Sequence, residues 1–258
     1  MQRVLDGSLS TGESVLALGM FDGVHLGHRV LLQKAKALAE QSGAPLVACT
    51  FTTHPMQVIA PEKCPPMLTT LDERAHLMEQ LGVDVMFAQP FTRQTMDTAP
   101  ERFVGDLCAR FHPLHIVIGY NYSFGKNGEG NPLLLSAFGD PFHYQAHVVP
   151  RITLDGHDVS STAIRAAISE GRMGEAVRLL GHPYAREIIL QSREGEKHSY
   201  VLPPNGLLDP PAGRYRALLS QGDKTVPVSV TVPQPGRALL RLPDSAAIGA
   251  GERLAFLA

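Results

Sequence analysis

The apolar and polar positions of the chain change their period twice. Over the first two thirds, short apolar runs alternate with stretches of helical spacing. Ser14–Leu18 reads as a buried strand, followed by a Gly-rich turn and a helix over 25–41. A second strand is predicted over 46–52. Thr70 with Glu73 three residues later has capping-box form and starts a helix that ends near Gly82. A third strand is expected over 83–88, and Thr98, Pro100 and Glu101 mark the next helix start. The fourth strand is placed at 115–118 and a fifth at 142–149. Strands alternating with helices imply parallel βαβ units, so the expected class is α/β, a Rossmann-like, doubly wound parallel sheet. Helical stretches follow over 162–170 and 174–180. From Tyr184 onward Pro and Gly become frequent and short β-leaning runs appear at 215–219, 226–232 and 238–242. That pattern predicts a small β-barrel-like domain, which places the division at 1–183 and 184–258.

Composition narrows the class. The 258 residues are 44% apolar and 19% charged, ordinary for a globular chain with a core of normal size. The net charge of -2 gives no global basic field to recruit nucleic acid or an anionic membrane, so neither is expected as a partner. Cys49, Cys64 and Cys108 are scattered, with no C-x-x-C pair. This disfavours a disulfide framework or a cysteine metal site and points to a reducing cytoplasm. The first thirteen residues lack the apolar run of a signal peptide, and no apolar run approaches the roughly 18 residues that span a bilayer.

The richest chemistry lies in Gly19-Met20-Phe21-Asp22-Gly23-Val24-His25-Leu26-Gly27-His28. This segment joins the first predicted strand to the first predicted helix. In an open parallel sheet, ligands collect at the carboxyl ends of strands, where helix N-termini offer free N–H groups to phosphates. Gly19 and Gly23 are expected to permit the sharp turn, and Gly27 to leave room for a nucleotide against the helix. His25 and His28 are three residues apart and share a helical face. They can donate hydrogen bonds to a triphosphate and stabilise charge at an attacked phosphorus. A surface βα turn is the bland reading of a lone H-x-G-H; its place after the first strand favours the functional one. As a metal site, H-x-x-H supplies two ligands and no third is marked by spacing, so none is expected. Ser161 and Thr162 stand before a predicted helix, where capping is their default role. Arg165 follows one turn later, and the three together offer hydroxyls, N–H groups and a guanidinium to phosphate.

Four ordered segments carry a resemblance. Residues 19–28 look like the H-x-G-H signature of the nucleotidyltransferases, and the longer F-D-G-V-H-x-G-H form is similar to bacterial FAD synthetases, the riboflavin kinase/FMN adenylyltransferases. Phe51-Thr52-Thr53-His54-Pro55 resembles the family's F-x-P-H-P with Thr53 in place of proline. Residues 118–125, I-G-Y-N-Y-S-F-G, resemble its G-x-[DN]-F-x-F-G. Residues 159–165, V-S-S-T-A-I-R, resemble its I-S-S-T-x-I-R, and L-L-G-H-P-Y follows at 179–184. The resemblance implies FMN and ATP as substrates, Mg2+ accompanying ATP, and FAD and pyrophosphate as products. It implies catalytic roles for His25, His28, Ser161, Thr162 and Arg165, the last three closing on the ATP β- and γ-phosphates. It implies binding roles for Gly19, Phe21, Asp22, Gly23, Gly27, His54, Pro55, Asn121, Phe124 and Lys126; read from the residues alone, His54-Pro55 is equally a strand-end turn and Asp22 equally a cap of its loop. Lys126 lies where many members carry an arginine, a change that removes bidentate geometry.

The last third departs from the family. Tyr184–Ser199 lacks the Gly-rich loop of a riboflavin kinase, and its one glycine, Gly195, sits in a charged stretch that reads as a solvated hairpin turn. No P-T-A-N motif is present; the nearest stretch is Leu202-Pro203-Pro204-Asn205. Residues 208–215, L-D-P-P-A-G-R-Y, do resemble the kinase turn and strand. A kinase-like barrel that has lost its nucleotide site is expected. The competing readings are a nucleotidyltransferase for another phosphorylated substrate and a catalytically silent flavin- or nucleotide-binding protein.

Overall fold

The computed structural model describes residues 1–5, 9–190, 199–221, 224–241 and 252–258. They form two compact units, residues 1–65 with 70–153, and residues 66–69 with 154–258.

The first unit is built on a parallel sheet of β1 (Gln2–Val4), β2 (Ser14–Leu18), β3 (Leu46–Phe51), β4 (Val85–Gln89), β5 (Pro113–Gly119) and β6 (Gln145–Val149). Their spatial order is β1-β4-β3-β2-β5-β6. The chain winds outward from β2 through β3 to β4, which β1 covers at the edge, then crosses back and continues from β5 to the other edge. The strand order therefore reverses between β2 and β5, the switch point at which open α/β sheets bind ligands. The edge strand β1 escapes the sequence reading because its three residues lie in a polar stretch; its backbone pairs parallel to β4.

The continuous apolar runs are explained by burial on both faces. Along β2, Val15 and Ala17 face one core with α1 (Leu26–Ser42) and α3 (Leu71–Gln80). Leu16 and Leu18 face the other, with Val104, Leu107 and Phe111 of α5 (Pro100–Phe111). Single short turns of helix, α2 (Met56–Ile59) and α4 (Arg93–Met96), follow β3 and β4. Helices α6 (Pro132–Ala137) and α7 (Gly139–Phe142) precede β6. The fifth predicted strand thus begins at Gln145, because Phe142 ends α7 and His143 caps it. Thr70 caps α3 by accepting from the Glu73 N–H at 3.1 Å. For α5 the cap falls on Ala99, with Pro100 first in the helix.

In the second unit, α8 (Ser161–Ser169) and α9 (Met173–Leu180) form a helical pair after a two-stranded ribbon, β7 (Thr153–Leu154) and β8 (His157–Asp158). Strands β9 (Tyr184–Leu190), β10 (Ser199–Val201), β11 (Gly213–Gln221), β12 (Lys224–Gln234), β13 (Arg237–Arg241) and β14 (Glu252–Phe256) close into a barrel in the order β10-β13-β12-β11-β14-β9. Val228, Val230 and Val232 alternate inward with exposed neighbours, the period-2 pattern of a barrel wall. On β9 the buried residues include Tyr184, Ile188 and a cation, Arg186. The turn expected around Gly195 and the end of the 238–242 run lie outside the described residues.

Candidate active site

The β2–α1 loop leaves the carboxyl end of β2 and folds back under strain. Phe21 and Val24, both fully buried, have φ of 52° and 39°, and Gly23 has φ of 80°. Non-glycine residues in the left-handed region cost of order 1–3 kcal/mol each, and the surrounding packing must hold them there. Gly23 serves the turn, as expected. Gly19 serves space instead: a Cβ there would stand 3.0 Å from the Phe21 ring. Gly27 lies in the first turn of α1.

The two histidines form one unit. His25 is the N-cap of α1, its Nδ1 accepting from the His28 backbone N–H at 3.3 Å. The two rings stack with centroids 3.6 Å apart and planes 16° apart. Phe21 meets the His28 ring edge-on at 5.2 Å. Burial, then the His25 and Arg74 charges, hold the His28 imidazole well below its ordinary range, so it is neutral near pH 7. Its Nδ1 is buried without a hydrogen-bond partner. An unsatisfied polar atom of this kind is rare in native proteins and fits a ligand-binding position.

Behind the loop lies a residue that motif reading misses. Arg74 of α3 is 1% exposed. Its Nη1 donates to Thr50 Oγ1 at 3.2 Å and to the Phe51 carbonyl at 2.9 Å. Thr50 Oγ1 in turn donates to the Met20 carbonyl at 2.9 Å. Asp22, 2% exposed, draws on the Arg74 charge and opposes the depression that burial imposes on it. The signal was present in the sequence: Leu71, Arg74, Ala75 and Met78 share one helical face, and an arginine on an apolar face needs a reason.

A cavity of about 440 Å³ opens beside these residues, lined by Phe51, Pro55, Phe91, Phe103, Tyr122 and Phe124 among others. That size suits a small-molecule site, for which about 300–1,000 Å³ is usual. Aromatic contacts build its walls, with Phe51 against Phe91 at 5.1 Å and Phe124 against Tyr122 at 5.9 Å. Phe124 pairs with Gly130 through two backbone hydrogen bonds, closing the loop after β5. A Cβ at Gly130 would lie 2.5 Å from the Phe124 ring. Gly125, with φ of 71°, presses on Pro100, where a Cβ would come within 2.9 Å of the backbone. Asn121 is exposed at the carboxyl end of β5, and Lys126 is exposed with its N–H donating to the Thr98 carbonyl at 2.7 Å. His54 Nδ1 accepts from the Met56 N–H at 3.1 Å, holding the turn after β3, and Pro55 reaches the cavity wall.

Ser161, Thr162 and Arg165 belong to the second unit. The cap of α8 falls one residue earlier than expected, on Ser160, whose hydroxyl accepts from the Ala163 N–H at 3.1 Å. Ser161 and Thr162 are the first helical residues. Arg165 Nε donates to the Pro66 carbonyl at 2.7 Å. Among the described residues no group of three or more His, Cys, Asp or Glu is placed to hold a metal ion, and no helix is long and apolar enough to cross a membrane.

Comparison with known proteins fits this geometry. Residues 8–163 match the FAD synthetase family model. The bifunctional riboflavin kinase/FMN adenylyltransferase of Listeria monocytogenes is 41% identical over 171 residues, 66% of this chain and 54% of that protein. The FAD synthetase of the same organism is 34% identical over 202 residues, 78% of this chain and 82% of that protein. The chain spans about half the length of bifunctional relatives such as those of Listeria and Escherichia coli. A solved structure described as a macrolide-efflux protein from Streptococcus pneumoniae superposes with a TM-score of 0.88 at 22% identity, over 100% of this chain and 90% of that one, a likeness of fold alone. With its H-x-G-H loop, its strand order and these matches, the chain belongs to the FAD synthetase family.

Proposed function

We propose that this chain is an FMN adenylyltransferase, taking AMP from Mg-ATP to the phosphate of FMN and releasing pyrophosphate. The observation that carries the reading is the convergence on Phe51. Its carbonyl is tied to Arg74 behind the histidine loop, while its ring walls the aromatic cavity. A phosphate-binding loop and a pocket for a planar ring system therefore lie at the carboxyl ends of two neighbouring strands, β2 and β3, as a flavin phosphate acceptor requires. The names of the relatives point to the same reaction.

In this reading an oxygen of the FMN phosphate attacks the α-phosphorus of ATP in line. The new P–O bond forms as the bond to the β-phosphate bridging oxygen breaks, and pyrophosphate leaves. The acceptor brings its own nucleophile, so the protein contributes position and charge stabilisation. His25 and His28 hold phosphate oxygens, with Gly19, Phe21, Asp22, Gly23 and Gly27 shaping their loop. His54, Pro55, Asn121, Phe124 and Lys126 attend the flavin side. Ser161, Thr162 and Arg165, at the start of α8, supply donors to the ATP phosphates. Magnesium enters bound to ATP, since this ion is commonly carried by substrate phosphates and water. Residues 1–183 are assigned the transferase role.

Residues 184–258 are assigned no kinase activity. The stretch nearest to a kinase nucleotide motif is already engaged: Arg186 donates to Asn205 Oδ1 at 2.8 Å, to the Pro203 carbonyl at 3.2 Å and to Asp209 Oδ1 at 2.6 Å. A buried guanidinium holding these acceptors opposes a second cation beside them. The test is incubation of the pure chain with Mg-ATP and either flavin, products being separated by chromatography. FAD is expected from FMN, and no FMN from riboflavin. Riboflavin phosphorylation would refute the kinase assignment, and absence of both FAD formation and FMN binding would refute the transferase one.

A further inference from the structure

Arg74 is buried, charged and out of reach of solvent, yet it stands directly behind the loop that carries both histidines. Burying a guanidinium is costly unless its donors are satisfied and its charge is offset. Here the satisfaction is partial. Nη1 serves Thr50 and Phe51, but Nε is buried with no hydrogen-bond partner. A neutral donor would serve the same two acceptors without the penalty of a charge. The retained charge must therefore act on something, and its charged or titratable neighbours include the buried Asp22 and His28.

Resting on the adenylyltransferase reading, we infer that Arg74 is a positioning residue whose buried positive charge, rather than its hydrogen bonds, prepares the histidine loop for the ATP phosphates. The charge works in two ways. It offsets the charge of the Asp22 carboxylate, buried in the same loop as the strained Phe21 and Val24. It also places a fixed positive potential under the phosphate position, where low dielectric makes it strong and no reorganisation is needed. A secondary effect supports the geometry: burial first, then the His25 and Arg74 charges, hold the His28 imidazole below its ordinary range.

Two substitutions separate charge from hydrogen bonding. Arg74→Gln keeps a side-chain amide donor and loses the cation; Arg74→Lys keeps the cation and loses the planar fork. The inference predicts that Arg74→Gln lowers kcat for FAD formation at least about tenfold, while FMN affinity stays within about threefold. It predicts that Arg74→Lys retains kcat within about fivefold. In spectra of 13C-histidine-labelled free protein, the His28 titration midpoint should rise in Arg74→Gln and stay near wild type in Arg74→Lys. Circular dichroism verifies folding, and Arg74→Met, which exchanges the cation for an apolar chain of similar length, takes the place of a Gln variant that fails to fold. Wild-type turnover in Arg74→Gln would overturn the inference. So would equal losses in both variants with an unmoved His28 midpoint, the signature of a purely structural strut. If the wild type itself makes no FAD, the reaction assignment fails, while the His28 midpoint still tests the charge coupling.

Discussion

His28→Ala is expected to lower the rate of FAD formation ten- to a thousandfold, with FMN affinity little changed. The imidazole is held by stacking on His25 at 3.6 Å and by the Phe21 edge, and its Nδ1 is buried without a hydrogen-bond partner. Such a ring is preorganised for charge that develops on phosphate oxygens. Removing one preorganised donor of this kind costs about 1.4–4 kcal/mol of transition-state stabilisation, which is the stated range in rate. His25→Ala should fall in the same range for two combined reasons, because His25 also caps α1 through the His28 N–H. His25→Asn separates them. Asparagine is a good N-cap, and restoring the cap returns about 1 kcal/mol of stability but no imidazole. Steady-state kinetics with FMN and Mg-ATP, beside thermal melts, make the distinction. Turnover within twofold of wild type in both alanine variants would reduce the loop to a structural turn.

The largest loss of stability is expected from Arg186→Ala in the barrel. Arg186 is 1% exposed on an inward position of β9 and bridges Asn205, Pro203 and Asp209. Truncation leaves the Asp209 carboxylate, about one quarter exposed, without this partner, along with two acceptors. Breaking a buried pair by removing one member costs about 3–5 kcal/mol, since the other charge stays desolvated. The barrel should unfold at a temperature lower by roughly 10 °C or more in calorimetry. Arg186→Met should lose less than Ala because the methionine chain refills much of the space. A midpoint shift of under two degrees for Arg186→Ala would show that the network is dispensable.

The sheet was legible because its strands are buried on both faces. Val15 to Leu18 reads as a buried strand in sequence and structure alike, whereas the strand order that sets the switch point rests on tertiary pairing. The loop between Gly19 and His28 was legible for a related reason: position after the first strand gives a four-residue motif its meaning. Harder features depend on tertiary contacts. Gly19 was expected to bend the backbone and instead makes room for Phe21, a contact that spacing does not reveal. The α8 cap moved to Ser160 because either of two adjacent serines satisfies the same pattern. Arg74 and Arg186 draw their roles from distant partners. The apolar face of α3 marks Arg74 as unusual but does not show its purpose, and Arg186 carries no such mark; the partners lie 23 and 24 positions away for Arg74, and 17 to 23 for Arg186. The cavity draws Phe51 and Phe124 from two of the recognised segments, but Phe91 and Phe103 from stretches that no motif marks.

The central claim, adenylyl transfer to FMN, is tested most directly with ATP carrying a radiolabel on its α-phosphate, incubated with magnesium, FMN and the purified chain. The account predicts that the label moves into FAD in proportion to FMN consumed, with unlabelled pyrophosphate released in equal amount. Label that remains in ATP, or passes only to ADP or AMP while FMN is unchanged, would contradict it.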